Sequence, residues 1–144
     1  MQTPNNLSEA DGNAAAQFKR WASRSMRISI IGNSGSGKST LARMLASSNG
    51  TALLDLDTLV WEPNKIAVPR DPKRVFADLE QFCNSDSNWV IEGCYANYIQ
   101  AALQYEPELV FLEPGQDACL SNCRNRPWEP HKYASKIEQD SKLE

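Results

Sequence analysis

The residues with the densest chemistry run from Gly32 to Thr40, "GNSGSGKST". A G-x-x-x-x-G-K-[ST] run between an apolar stretch and a helical pattern is suited to hold the phosphates of a nucleotide. Gly32, Gly35 and Gly37 permit backbone angles and close approach that side chains would block. The N–H groups of the loop, Asn33, Ser34 and Ser36 included, then form an anion nest backed by the positive end of the next helix. Lys38 is expected to bridge the β- and γ-phosphates of ATP, Ser39 to ligate Mg²⁺, and Thr40 to add an α-phosphate contact. The alternative is a glycine turn that binds nothing, which a full motif match with both flanks correct disfavours.

What becomes of those phosphates depends on groups elsewhere. A GTPase would carry a guanine-reading N-K-x-D, but the chain's one "NK", in "NKIA" at Asn64–Ala67, lacks the Asp and comes early. A motor-type ATPase ends an apolar strand in an acidic pair, whereas "LVFLEP" ends in the single Glu113. The segment "LLDLDTLVW", Leu53–Trp61, is more informative. Read as a strand end, it puts Asp55 and Asp57 on one side of the sheet. Ligands of open α/β sheets bind beyond the carboxyl ends of the strands, so the pair would lie beside the phosphate loop. One carboxylate could support Mg²⁺ and the other a substrate hydroxyl; the simpler alternative is that one Asp caps the following turn.

These groups need elements to position them, and the chain alternates strand and helix from Met26 onward. Strands are expected at Arg27–Ile31, Thr51–Leu56, Trp89–Glu92 and Leu109–Leu112. Helices are expected at Lys38–Asn49, from Pro72 behind an Asp71 cap, at Tyr98–Tyr105, at Gln116–Arg124 and in "HKYASKIEQDSKLE". In the second of these, Val75, Phe76, Leu79 and Phe82 define the inward face. Near-continuous apolar strands alternating with helices predict an α/β fold: a three-layer α/β/α P-loop NTPase with a mostly parallel sheet of four to five strands.

Together "GNSGSGKST" and "LDLD" resemble the small P-loop kinases of the shikimate-kinase and adenylate-kinase type. The resemblance implies that Asp55 serves the Mg²⁺ shell and that Asp57 binds and orients the accepting hydroxyl. "WVIEGCYANY" is similar to the W-[IV]-[IV]-D-G-N-Y segment of bacterial adenylate-kinase-like "DNA topology modulation" (FlaR-like) proteins. That subgroup also has D-x-x-x-W-x-P, here Asp57–Pro63, and V-P-R, here Val68–Arg70. Glu92 stands where the pattern has Asp, and Cys94 where it has Asn. Glu92, Gly93 and Arg70 are the substrate-side candidates besides Asp57. In "CLSNCRNRPWEPHKY" the resemblance implies a lid whose Arg124 and Arg126 close over the transferred phosphoryl group. Guanidinium groups there would stabilise spreading negative charge and exclude water; ordinary cations at a helix C-terminus are the alternative. The resemblance further implies another helix and a fifth strand after "SKLE", with a loop holding the adenine, so the C-terminal part reads as missing.

Bulk properties narrow the partners. With 144 residues, 41% hydrophobic and 23% charged, the chain is sized for one domain. A net charge of −3 argues against general nucleic-acid binding. The longest apolar runs are too short to span a membrane, and the N-terminus has no apolar signal core. Cys83, Cys94, Cys119 and Cys123 therefore read as reduced thiols of a cytoplasmic protein. Cys119, Cys123 and His131 read as incidental rather than as a metal site, because no paired C-x-x-C accompanies them. Residues 1–25 read as a dispensable flexible tail, with one helical turn around Ala14–Trp21 or a genuine start at Met26; residues 26–144 form the nucleotide-binding domain. The expected partners are a nucleotide and a small-molecule acceptor, and the expected reaction is Mg²⁺-dependent transfer from ATP. A nucleotide-dependent regulatory ATPase and a catalytically inactive remnant are the rivals.

Overall fold

The structure is a computed structural model that describes residues 25–143, so the expected tail lies outside the described residues except at Ser25. Strand β1 (Arg27–Gly32) leads through the glycine-rich loop into helix α1 (Lys38–Asn49). Strand β2 (Ala52–Asp55) passes into a short helix α2 (Leu56–Val60), and a loop then leads to α3 (Pro72–Ser85). Strand β3 (Trp89–Gly93), helix α4 (Ala96–Ala102) with a 3₁₀ turn (Leu103–Tyr105), β4 (Glu108–Leu112), α5 (Gln116–Arg124) and α6 (Lys136–Ser141) complete the chain. The four strands form one parallel sheet in the order β2-β3-β1-β4. No described helix is long and apolar enough to cross a membrane.

The period of two along each strand divides the core between the two faces of the sheet. Ile28, Ile30 and Val90 pack with Ala42 and Ala46 of α1 on one side. Trp89 and Ile91 pack with Val75, Leu79, Tyr98 and Ile99 of α3 and α4 on the other. Central β1 and β3 are thus covered twice, which is why they read as continuous apolar runs. At the edge, β4 leaves Leu109 and Phe111 largely exposed.

Most boundaries fall within a residue or two of expectation, and three differences have physical causes. First, β2 stops at Asp55, because its carboxylate accepts a hydrogen bond from the Asp57 N–H at 2.9 Å and caps α2. Asp57 therefore lies in the first turn of a helix, not on a strand end alternating with Asp55. Second, the buried residues of α3 are Val75, Leu79 and Cys83, with the expected Phe82 half-buried against the same core. Phe76 is on the rim, 39% exposed, and packs its ring against Tyr98 with centroids 4.8 Å apart. Burial pushes the Cys83 thiol up to about 11, as befits a core thiol. Third, the last helix is short and begins at Lys136, capped by the Ser135 hydroxyl on the Glu138 N–H.

Helices α2, α3 and α6 are capped by the side chains of Asp55, Asp71 and Ser135. Helices α1, α4 and α5 have no side-chain cap, and the cap residue of α1 is Gly37 at φ 92°. This 12-residue helix thus keeps its first-turn N–H groups clear of capping side chains, beside the loop expected to hold phosphate.

Candidate active site

The glycine-rich loop is built around contacts that only glycine permits. At Gly35 the backbone is left-handed (φ 77°), and a Cβ would lie 2.2 Å from the Cys119 carbonyl oxygen and 2.8 Å from Cys123 Sγ. The loop thus packs against the Cys119 carbonyl and the Cys123 thiol of α5, and Asn122 Nδ2 of the same helix donates to the Gly35 carbonyl at 2.8 Å. Lys38, 7% exposed, folds back to donate to the Asn33 carbonyl at 2.7 Å. Ser39 and Thr40 open into a cavity of about 520 Å³ with Gly35, Gly37 and Lys38. Asn33 and Ser34 face a second cavity, of about 480 Å³, toward Cys119.

Two carboxylates meet the loop at the carboxyl ends of β2 and β3, where Asp55 and Glu92 are register partners. Glu92 is 3% exposed and accepts a hydrogen bond from Ser39 Oγ at 2.9 Å. Burial and then the neighbouring Asp55 charge push its acid up to about 7, outweighing the Ser39 bond and the Lys38 charge. Folding therefore favours protonated Glu92. Its contribution to stability is present in full below the ordinary value of 4.5 and is lost as pH rises through about 7. In nucleotide-free protein, this group is expected to lower unfolding free energy by on the order of 3 kcal/mol between about pH 4 and about pH 8. Glu92→Gln should flatten that slope in denaturant titrations; an unchanged slope would assign it to other groups.

Asp57 faces the same site from α2. One of its oxygens accepts the Tyr95 hydroxyl and the other the Lys132 ammonium, the latter at 2.8 Å. Tyr95 in turn accepts the Trp61 indole N–H at 3.0 Å. Burial would raise the Asp57 carboxyl, but the bonds from Lys132 and Tyr95 and the Lys132 charge outweigh it and hold the group below the ordinary carboxylate value. The Tyr95 phenol is raised, by burial first and then by its bond to Asp57. Burial would lower Lys132, yet its bond to Asp57 and the charges of Asp57 and Glu129 raise it. The triad Asp57–Tyr95–Lys132 is therefore carboxylate, phenol and ammonium at neutral pH.

Lys132 comes from the connection between α5 and α6. Glu129 of that connection pairs with Arg126 at 3.5 Å and with Lys132 at 3.6 Å. Gln139 of α6, 5% exposed, accepts from the Glu129 N–H at 2.7 Å and donates to the Pro127 carbonyl at 3.2 Å. At the other end, the Ala67 N–H donates to the His131 carbonyl at 3.0 Å. His131 lies with Asp57 and Glu129, their possible ligand atoms all within 4.8 Å of one another, and not with Cys119 and Cys123. The Lys132 ammonium already supplies the positive charge of that cluster.

One small cavity gathers Lys38, Ser39, Asp55, Asp57, Glu92, Gly93, Arg126 and Lys132. Gly93 is there for packing as well, since a Cβ would lie 2.9 Å from the Leu56 side chain. Two expected site residues are not brought in. Arg124, the last residue of α5, is exposed, and its carbonyl accepts from Lys136. Arg70 donates to the Leu59 carbonyl and pairs with Asp78, both at 2.8 Å, so it ties α2 to α3. Lys132 and Tyr95 were not among the expected site residues, although both stand inside motifs already singled out; a lysine four residues beyond Trp128 was the available signal.

No protein-family profile matches this sequence, and none of the curated proteins does. Solved structures do. A sugar kinase from Janibacter sp. HTCC2649, unliganded, is similar with a TM-score of 0.56 at 17% identity over 83% of this chain and 77% of that one. A gluconokinase from Sinorhizobium meliloti 1021 gives 0.51 at 20% identity, over 83% and 74%. Shikimate kinase from Acinetobacter baumannii, in complex with shikimate, gives 0.54 at 19% identity, over 85% and 76%. The class of fold is thereby set: this chain has the α/β fold of the P-loop NTPases. The solved structures named here that share it are kinases of small molecules.

Proposed function

We propose that this protein binds ATP through the Gly32–Thr40 loop and transfers its γ-phosphoryl group to a hydroxyl or phosphate of a small-molecule or nucleotide acceptor. The observation that carries this reading is the shared cavity in which Asp57 stands beside Lys38, Asp55, Glu92 and Arg126. A transferase needs a group beside the phosphate loop to align an acceptor, and Asp57 lines the loop's cavity from a separate helix. The kinase names of the structural neighbours and the resemblance to shikimate, adenylate and FlaR-like proteins agree with it.

In this reading Lys38 and the loop amides hold the β- and γ-phosphates, and Thr40 the α-phosphate. Ser39, Asp55 and Glu92 are a hard-oxygen set that fits Mg²⁺, and a buried, raised Glu92 acid beside half-buried Asp55 is an arrangement a divalent cation would relieve. When bound, the metal neutralises phosphate charge. Asp57 accepts the acceptor hydroxyl's hydrogen bond, and Arg126 covers the transferring group. Phosphoryl transfer passes through a loose transition state, so alignment and charge stabilisation supply most of the rate.

The test is ADP formation from Mg-ATP across a panel of hydroxy acids, sugars and nucleoside monophosphates. Acceptor-dependent ADP is expected for at least one class. ATP binding without any acceptor dependence would leave a nucleotide-dependent regulator. That second reading has one observation in its favour, namely that both Asp57 oxygens are already engaged.

A further inference from the structure

We propose that Trp128 is the platform on which the base of the bound nucleotide stacks. This rests on the nucleotide-binding reading of the same cavity and deepens it by naming how the nucleoside is held. Trp128 lines the 520 Å³ cavity together with Gly37, Thr40 and Arg43. If the phosphates occupy the loop and the α-phosphate lies at Thr40, the nucleoside continues along α1 toward Arg43, the stretch of wall that Trp128 shares.

The indole is prepared for this role before any ligand arrives. It is 46% exposed, a large apolar surface left in water, while its one polar atom is satisfied: Nε1–H donates to the Tyr133 carbonyl at 2.9 Å. The backbone on both sides is fixed as well, because buried Gln139 bonds the carbonyl of Pro127 and the N–H of Glu129. A ring held by its edge and its flanks offers a face at little ordering cost. Stacking on a face accepts any base, so Trp128 supplies affinity without choosing between adenine and guanine. The chain's lack of N-K-x-D, which reads guanine, agrees with that.

Calorimetric titration of the full chain with Mg²⁺ and ATP, GTP or inorganic tripolyphosphate separates the base from the phosphates. Trp128→Ala is expected to weaken ATP and GTP by about tenfold each and to leave tripolyphosphate within about twofold. Trp128→Phe should keep most of the nucleotide affinity, and Trp128→Leu, which keeps bulk but not the π-face, should behave as the alanine variant does. Equal weakening of ATP and tripolyphosphate, or weakening of neither, would overturn the stacking role while leaving phosphate binding intact. A wild-type protein that binds neither ligand would overturn the nucleotide reading, and the platform with it. If the melting temperature of Trp128→Ala has fallen, Trp128→Leu takes its place in the comparison.

Discussion

Lys38→Ala is expected to weaken ATP binding by about a hundredfold while leaving the fold in place. The ammonium is 7% exposed, and its one protein partner is the Asn33 carbonyl at 2.7 Å. That carbonyl keeps a second donor, the Ser36 N–H at 3.1 Å, so the loop turn survives loss of the lysine. What disappears is the cation inside a loop whose remaining donors are neutral amides. Charge-assisted hydrogen bonds to phosphate are roughly twice as strong as neutral ones, and the site around Lys38 is largely shielded from water. Calorimetry gives the affinity and thermal melting the stability. ATP affinity within about threefold of wild type, in a variant that still melts cooperatively, would remove the lysine from the phosphate site.

Asp57→Asn should act on transfer and spare nucleotide binding. Aligning and accepting the hydroxyl is worth about 10²–10⁴ in rate, and that is the expected fall in acceptor-dependent turnover. ATP affinity should move little, because the phosphate loop owes nothing to Asp57. Held below the ordinary carboxylate value by Lys132 and Tyr95, Asp57 is a weak base and a good hydrogen-bond acceptor. A loose transition state asks for the second property more than the first. The variant also strips Lys132 of the nearer of its two charged partners, so Lys132→Met is the control: it removes the ion pair but keeps the carboxylate. A drop confined to Asp57→Asn assigns the effect to the carboxylate. Equal drops in both variants would assign it to the ion pair.

Much of this arrangement was legible in the sequence, and the remainder was not for identifiable reasons. The phosphate loop, α1 from Lys38 to Asn49, the Asp71–Pro72 start of α3 and the bounds of α5 follow from local rules, and local rules decided them. The end of β2 was also a local matter but a balanced one. "LLDLD" satisfies strand alternation as well as it satisfies an Asp cap, and the hydrogen bond from the Asp57 N–H tipped it toward the cap. Arg124 is the last residue of α5 and Arg126 stands two positions further on, so where the helix ends decides that Arg126 lines the site and Arg124 is exposed. Lys132 and Asp57 lie 75 residues apart, and nothing local connects them. The two short motifs, Asp57–Pro63 and the Trp89–Tyr98 segment, looked like separate signatures. They meet at one atom, the Tyr95 hydroxyl, which joins Asp57 to Trp61.

The connection carrying Arg126 and Lys132 is held by backbone bonds, from Gln139 and from the Ala67 N–H to the His131 carbonyl, and by one side-chain ion pair. At its base, Gln139 of α6 holds the Pro127 and Glu129 backbone with neutral bonds that involve no group of the candidate site. At its tip, Lys132 is held by Asp57, a group that the proposed acceptor would itself occupy. In the proposed reading, an acceptor that takes Asp57 releases only the Lys132 side chain, while the Gln139 bonds and the bond from the Ala67 N–H to the His131 carbonyl stay in place. The backbone that presents Arg126 is therefore fixed independently of whether Asp57 is occupied.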